Sequence, residues 1–290
     1  TVVSVELEPQ LAASAEGRLR DSGCEVTVVA GDGREGVAEE GPYDRLIVTA
    51  SATDVHQAWF EQLRPGGVLV LPLVLSPAVD SAGVFGSQVV VALERTAAGF
   101  QSHRVVRGSF MNLRSQAAEP NKASSVDFVG LSEACNSTIS AIAQFRGTNL
   151  RQMSPTARLR LARLVAQEPR MATQRQPLPL FTYLVLAAPQ DRLLAFTGSE
   201  GHGFAMLERG GHGAAALVTS GVPSKLRVRL LAWGAEDPAD DLRKVLEVWR
   251  ASGRPSLANL RIRVAYGARP RRAWRVSQRE QATLAFDWPT

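Results

Sequence analysis

Cysteine, histidine and lysine are scarce in this 290-residue sequence, and each scarcity excludes something. Two cysteines, Cys24 and Cys135, cannot build a disulfide framework, and His56, His103, His202 and His212 fall at no metal-ligand spacing. A reducing, cytoplasmic setting and no structural metal are expected. No apolar run approaches the roughly 18 residues of a membrane-crossing helix. The best candidate, residues 66–75, is broken by Pro72 and has the length of a strand. No membrane partner is expected. The sequence opens on Thr1 with no charged, apolar leader, and a trimmed or fragmentary chain is expected.

What is present is an average globular composition, 45% apolar and 21% charged, sufficient to close a core. At about 150 residues per domain, two domains are the first expectation. Charge separates them. Residues 1–120 hold 9 arginines, no lysine and 15 acidic residues, a net of −6, which leaves +11 for the remainder of a chain of net +5. The basic half carries Arg158, Arg160 and Arg163 in one stretch and Arg269, Arg271, Arg272, Arg275 and Arg279 in another. Such clusters either capture an acidic peptide or form a solvated face. The solvated face is expected here, and nucleic acid is not an expected partner, because no recognised nucleic-acid motif accompanies the arginines.

Periodicity organises the first 75 residues. A β-branched run at 1–6 precedes a helical pattern at 9–21, ended by Gly23, and a second strand at 25–30. After the turn Gly31-Asp32-Gly33 come a strand at 44–50, a helix at 55–63 and a strand at 67–73. Strands separated by helices imply crossovers and a mainly parallel sheet. Residues 86–95 and 100–111 follow as an antiparallel pair turning at Ala98-Gly99. The polar, Pro-containing segment 115–127 reads as a linker. Beyond it Ser154 and Pro155 start a helix, short strands lie at 181–187, 193–197, 204–208 and 214–219, and a helix at 238–252 precedes a last strong strand at 260–266.

In such sheets ligands sit at the carboxyl ends of parallel strands. Glu6 ends the first strand, Asp32 lies in the glycine turn after the second, and Asp44 opens the third. A carboxylate at such a strand end can accept two hydrogen bonds from ribose hydroxyls, and one between glycines can approach an amino group. Equally, acidic residues there can simply end strands and cap helices. The glycine-rich stretches 198–203 and 210–213 lack a following helix, so they read as turns rather than phosphate cradles. Trp233, Trp249, Trp274 and Trp288 read as core or contact residues.

Four linked segments carry a family resemblance: Val2-Val3-Ser4-Val5-Glu6, Gly31-Asp32-Gly33, Gly41-Pro42-Tyr43-Asp44-Arg45-Leu46-Ile47-Val48-Thr49-Ala50, and Gln62-Leu63-Arg64-Pro65-Gly66-Gly67-Val68-Leu69-Val70-Leu71-Pro72-Leu73. In order and register, through Gly108-Ser109-Phe110-Met111-Asn112-Leu113, the first 114 residues resemble the protein-L-isoaspartate O-methyltransferases. The resemblance implies an α/β, Rossmann-like methyltransferase domain over 1–114, a linker at 115–127 and an accessory, substrate-selecting α+β module over 128–290. It implies S-adenosylmethionine as cofactor and a carboxylate of a protein or peptide as methyl acceptor. Glu6 would bind the ribose hydroxyls, Asp32 and Gly33 the adenine, and Thr49 would lie near the methionine part. No residue is singled out as catalytic, because a carboxylate attacking an activated donor needs chiefly in-line positioning. His56 stands where the family usually has Pro. The first central strand, which carries the family's glycine-rich loop, is not among these residues, so either a gap between the strands at 1–6 and 44–50 or their collapse onto each other is expected. The rival reading is a non-catalytic protein whose basic module captures an acidic peptide.

Overall fold

The computed structural model describes residues 1–77, 79, 87–114, 140–174, 179–220, 227–267 and 273–288. The expected linker at 115–127, with Cys135, Arg269, Arg271 and Arg272, lies outside the described residues. Two compact units are present, one built from residues 1–73, 90–121 and 260–289, the other from 74–89 and 122–259. No helix among the described residues is long and apolar enough to cross a membrane.

The first unit opens with β1 (Val3–Glu6), α1 (Pro9–Asp21) and β2 (Thr27–Ala30). The right spacing of apolar residues and Pro9 at its start make α1 helical over the expected span. β1 and β2 pair in parallel, Glu6 opposite Ala30, and form a sheet of two strands only. A second sheet begins at β3 (Tyr43–Ile47), passes through α2 (Gln57–Gln62) to β4 (Leu63–Val74), and continues into β5 (Gln88–Thr96) and β6 (Gly99–Arg107). β3 and β4 are parallel. The short turn between β5 and β6 leaves room only for a hairpin.

The expected gap is there. Among the described residues β1 pairs only with β2, and β3 is the end strand of its sheet, so the β1 and β3 edges that would otherwise join are unpaired. Ile47 on β3 stays 69% exposed and Val2 58% exposed. The expectation of a mainly parallel sheet needs correcting for the same reason. Among the described residues the parallel strand pairs are β1 with β2 and β3 with β4, together with isolated parallel bridges at Ser51–Asn112 and Ala52–Leu73, and the rest of the larger sheet is antiparallel where its register is defined.

A second correction concerns the domain boundary. β13 (Arg261–Ala265), β14 (Arg275–Gln278) and β15 (Thr283–Asp287) extend the first unit's larger sheet in the order β14-β15-β13-β6-β5-β4-β3. Val264 pairs with Phe100, and Ile262 N donates to Ser102 Oγ. The strand expected to close the accessory module therefore belongs to the first unit, because β6 presents an edge whose Phe100, Ser102 and Val105 match the buried face of Ile262 and Val264.

The second unit is an antiparallel sheet of six strands between helical layers. It contains β7 (Phe145–Arg146), α3 (Thr148–Gln152), α4 (Pro155–Val165), β8 (Arg170–Gln174), α5 (Pro179–Ala187), β9 (Leu193–Gly198), β10 (Gly201–Leu207), β11 (Gly213–Ser220), β12 (Arg227–Gly234) and α6 (Asp237–Ala251), with strand order β7-β9-β10-β11-β12-β8. Ser154 Oγ caps α4 by accepting from Ala157 N at 3.2 Å. Alternation sorts the faces. Leu194, Phe196, Ala205, Leu207, Ala214 and Trp233 pack with Leu161 and Val165 of α4, while Phe204 faces the α5 side, its ring 6.0 Å from that of Phe181. The strand expected at 181–187 is thus a helix. A run as apolar as Leu180 to Leu186 carries no period, and α5 is buried on every side. The glycine stretches are turns between β9 and β10 and between β10 and β11, as expected.

Candidate active site

The parallel pairs bring loops from three distant segments to their carboxyl ends. Gly31 N donates to Glu6 O, which sets the turn after β2 directly beside the end of β1. Asp32 in that turn is held by its neighbour. Its Oδ1 accepts from Arg34 N at 3.0 Å, and its two oxygens share Arg34 Nε and Nη2, the shortest contact being 2.7 Å. The carboxylate is 8% exposed, and the Arg34 guanidinium holds it below the usual carboxylate range. Glu6 Oε1 accepts from Glu8 N, steering the chain into α1.

The turn from Gly31 to Val37 is fastened to α2. Trp59, fully buried, donates its indole N–H to Gly33 O at 2.8 Å, and Gln62 donates to Glu35 O and accepts from Val37 N. Gly36 allows this close approach: its φ is +66°, and a Cβ there would lie 2.1 Å from Gln62 Oε1. Around Gly33 the position of a Cβ meets nothing within 4 Å.

Past β3 the backbone bonds on both sides. Val48 and Ala52 donate toward β4, while Ser51 bonds to Met111 and Leu113 on its opposite side, and Ser51 Oγ meets Asn112 Oδ1 at 2.9 Å. Between β1 and this segment lies a cleft of about 260 Å³, lined by Val3, Val5, Gly33, Leu46, Thr49 and Leu113 among others. That is a little below the ~300 Å³ at which small-molecule sites usually begin.

Of the four residues named from sequence, Gly33 and Thr49 line this cleft, while Glu6 and Asp32 stand at the neighbouring strand ends. Sequence reasoning missed the partners that shape the site. Arg34 could have been found, two residues from Asp32. Gln281 and Tyr266 could not. Gln281 N donates to Asp54 Oδ2, its Oε1 accepts from Gln57 N at 2.9 Å, and Tyr266 donates to the carbonyls of Val55 and His56. Burial drives the His56 imidazole below its ordinary pKa, with Asp54 opposing, and pushes the Tyr266 phenol far up. The arginine clusters do not share one unit: Arg158, Arg160 and Arg163 lie on α4, whereas Arg275 and Arg279 lie in the first unit. Arg279 is 8% exposed, and burial lowers its guanidinium to about 10.

Residues 1–111 match the family model of the protein-L-isoaspartate(D-aspartate) O-methyltransferases. The enzyme of that name from Methanopyrus kandleri is 46% identical over 74 residues, covering 25% of this chain and 33% of its own length. The Ignicoccus hospitalis enzyme is 35% identical over 113 residues, covering 39% of this chain and 50% of its own. The Parvibaculum lavamentivorans enzyme is 35% identical over 113 residues, 39% of this chain and 48% of its own. A solved protein-L-isoaspartate O-methyltransferase aligns over 92% of this chain and 65% of its own at 21% identity, with a TM-score of 0.40. The motif resemblance therefore holds over residues 1–111, and the chain spans a third to a half of the curated relatives it matches.

Proposed function

We propose that the first unit is a methyltransferase domain of the isoaspartyl type, moving a methyl group from S-adenosylmethionine to a carboxylate of a protein or peptide. The observation that carries this reading is the parallel pair β1 and β2, whose adjacent ends deliver Glu6 and the Asp32–Gly33 turn within the region matched by that family. The donor set suits the cofactor. Two carboxylates at neighbouring strand ends are acceptors for ribose hydroxyls and an exocyclic amine, and the open space at Gly33 admits a ring against the backbone. When bound, S-adenosylmethionine supplies an activated methyl group.

The chain's own residues hold and orient. Glu6 would take the ribose hydroxyls, and Asp32 would yield one oxygen from Arg34 to the adenine amine while Gly33 leaves room beside it. Thr49 at the cleft and the segment at Ser51, Asn112 and Leu113 would face the methionine end and the acceptor. An ionised carboxylate is already a nucleophile, so alignment of acceptor and donor supplies most of the acceleration and no acid–base pair is needed.

The relatives are named as methyltransferases, which favours this reading over capture of an acidic peptide without chemistry. One experiment separates them. The chain is incubated with labelled S-adenosylmethionine and an isoaspartyl peptide, its aspartyl isomer or an arginine-matched control, and base-labile methyl ester is counted. Ester on a carboxylate peptide, abolished in Asp32→Asn, supports transfer. Peptide retention without ester overturns it.

A further inference from the structure

The helix that holds the candidate cofactor turn lacks a cap of its own. α2 begins at Gln57 after His56, whose side chain makes no capping bond, so the first N–H of the helix needs an acceptor from elsewhere. Gln281, 224 positions along the chain, provides it through Oε1. The same residue binds the loop before α2 at two further points, its backbone N–H on Asp54 Oδ2 at 2.7 Å and its side chain on His56. From α2, Trp59 and Gln62 make three hydrogen bonds to the turn that contains Gly33, Glu35 and Val37. Gln57 and Gln281 are exposed whereas Trp59 is fully buried, and Tyr266, which donates to the carbonyls of Val55 and His56, ties the same loop to the far end of the chain.

We infer that Gln281, in the turn between β14 and β15, is a positioning residue for the Asp32–Gly33 turn, acting through α2 and Trp59. The three strands at the end of the chain are thereby part of the candidate site's frame rather than of a separate selecting module. Only the consequence for cofactor binding rests on the function proposed above; the relay itself does not.

Two probes read the relay without cofactor: solvent exchange of the Trp59 indole N–H, and the titration midpoint of His56 followed by imidazole NMR. His56 faces Asp54, Asp32, Arg34 and Gln281, and burial opposes its protonation. In Gln281→Ala the cap is lost, the indole N–H exchanges about tenfold faster, as one weakened hydrogen bond would give, and the His56 midpoint falls because a bond favouring the charged ring has gone. Gln281→Glu keeps an acceptor for Gln57 N, so exchange stays near wild type, and its added negative charge raises the His56 midpoint. Gln278→Ala breaks the bond between Gln278 and Thr283 in the same hairpin without touching α2, and leaves both probes unchanged. Equal changes in Gln278→Ala, or none in Gln281→Ala, overturn the relay. If Gln281→Ala does not fold, a His56 midpoint raised in Gln281→Glu but unchanged in Gln278→Ala still supports the relay, and equal midpoints in the two variants overturn it. Failure of the wild-type chain to bind S-adenosylhomocysteine would sink the cofactor reading and leave these two probes as they are.

Discussion

The two units solve the same problem, a sheet with its edges and faces covered, to different degrees. In the second unit β9, β10 and β11 follow one another through short turns, and the result is thorough: Phe204, Ala205, Met206 and Ala214 to Val218 are fully buried. In the first unit the parallel strands depend on crossovers, β1 stops at one partner, and Ile47 and Val2 stay open to solvent. Local hairpin pairing closes itself, whereas a parallel strand takes its second neighbour from a remote part of the sequence. The first unit recovers only part of this from its own far end, where β13 adds to β6. The more thoroughly buried sheet and the candidate site thus lie in different units, and the less complete sheet carries the site.

Core truncation should expose this contrast most strongly. Phe204→Ala removes a fully buried ring from between β10 and α5 and should cost about 3–5 kcal/mol in chemical denaturation. Ile47→Ala, although it lies on a strand of the larger sheet, should move the midpoint by less than ~0.5 kcal/mol because the side chain is already 69% exposed. Amide exchange should agree, with β1 opening well before β10. Equal protection of the two strands would break the contrast.

How much of this was legible follows the same division. The boundaries of α1 were readable because Pro9, the spacing of Leu11 and Leu19, and Gly23 all agree. The Ser154 cap was readable because Ser and Pro act within one turn. α5 was not, since the unbroken buried run from Leu180 to Leu186 leaves no period to separate helix from strand. β13 was given to the wrong unit because its pairing with β6 joins distant parts of the sequence and leaves no local mark. β7, β8, β12, β14 and β15 were missed too, although β12, β14 and β15 each pair with a strand nearby in sequence. At the site, the turn of Asp32 and Gly33 was visible through its glycines and family resemblance. Its supports were not: Trp59 reaches it across 26 positions and Gln281 acts across 224, neither by a spacing that sequence encodes.

Trp59→Phe tests the less complete unit next. The ring's volume is largely kept while Gly33 O loses its donor, so the first unit should lose about 1–3 kcal/mol and the second none. The turn at Asp32 should loosen, seen as faster exchange of the Arg34 amide that Oδ1 now holds. Ser154→Ala is the matching change in the second unit and should cost about 1 kcal/mol, confined there, because only one capping bond at Ala157 N is removed. A loss shared by both units in either variant would mean that they unfold as one.

The smallest expected effect is a pH dependence that belongs to one unit alone. Burial holds the half-buried His56 below its ordinary pKa, with Asp54 and Asp32 pulling the other way and Arg34 reinforcing the shift. The unfolded chain therefore binds a proton at His56 at a higher pH than the folded chain does. Between the ordinary value near 6.5 and the lower folded value, the unfolded state holds more protons, so stability rises with pH across that window. The contribution is complete above about 6.5 and is lost as the solution is acidified through the folded value. Replacing His56 by Gln removes the titration. In urea melts from pH 7.5 to 5, the wild-type first unit should weaken on acidification more steeply than His56→Gln, while the second unit's melting, read from the buried Trp249, keeps the same slope in both proteins. A wild-type first unit that gains stability over the variant as pH falls would show that Asp54 and Asp32 outweigh burial at His56.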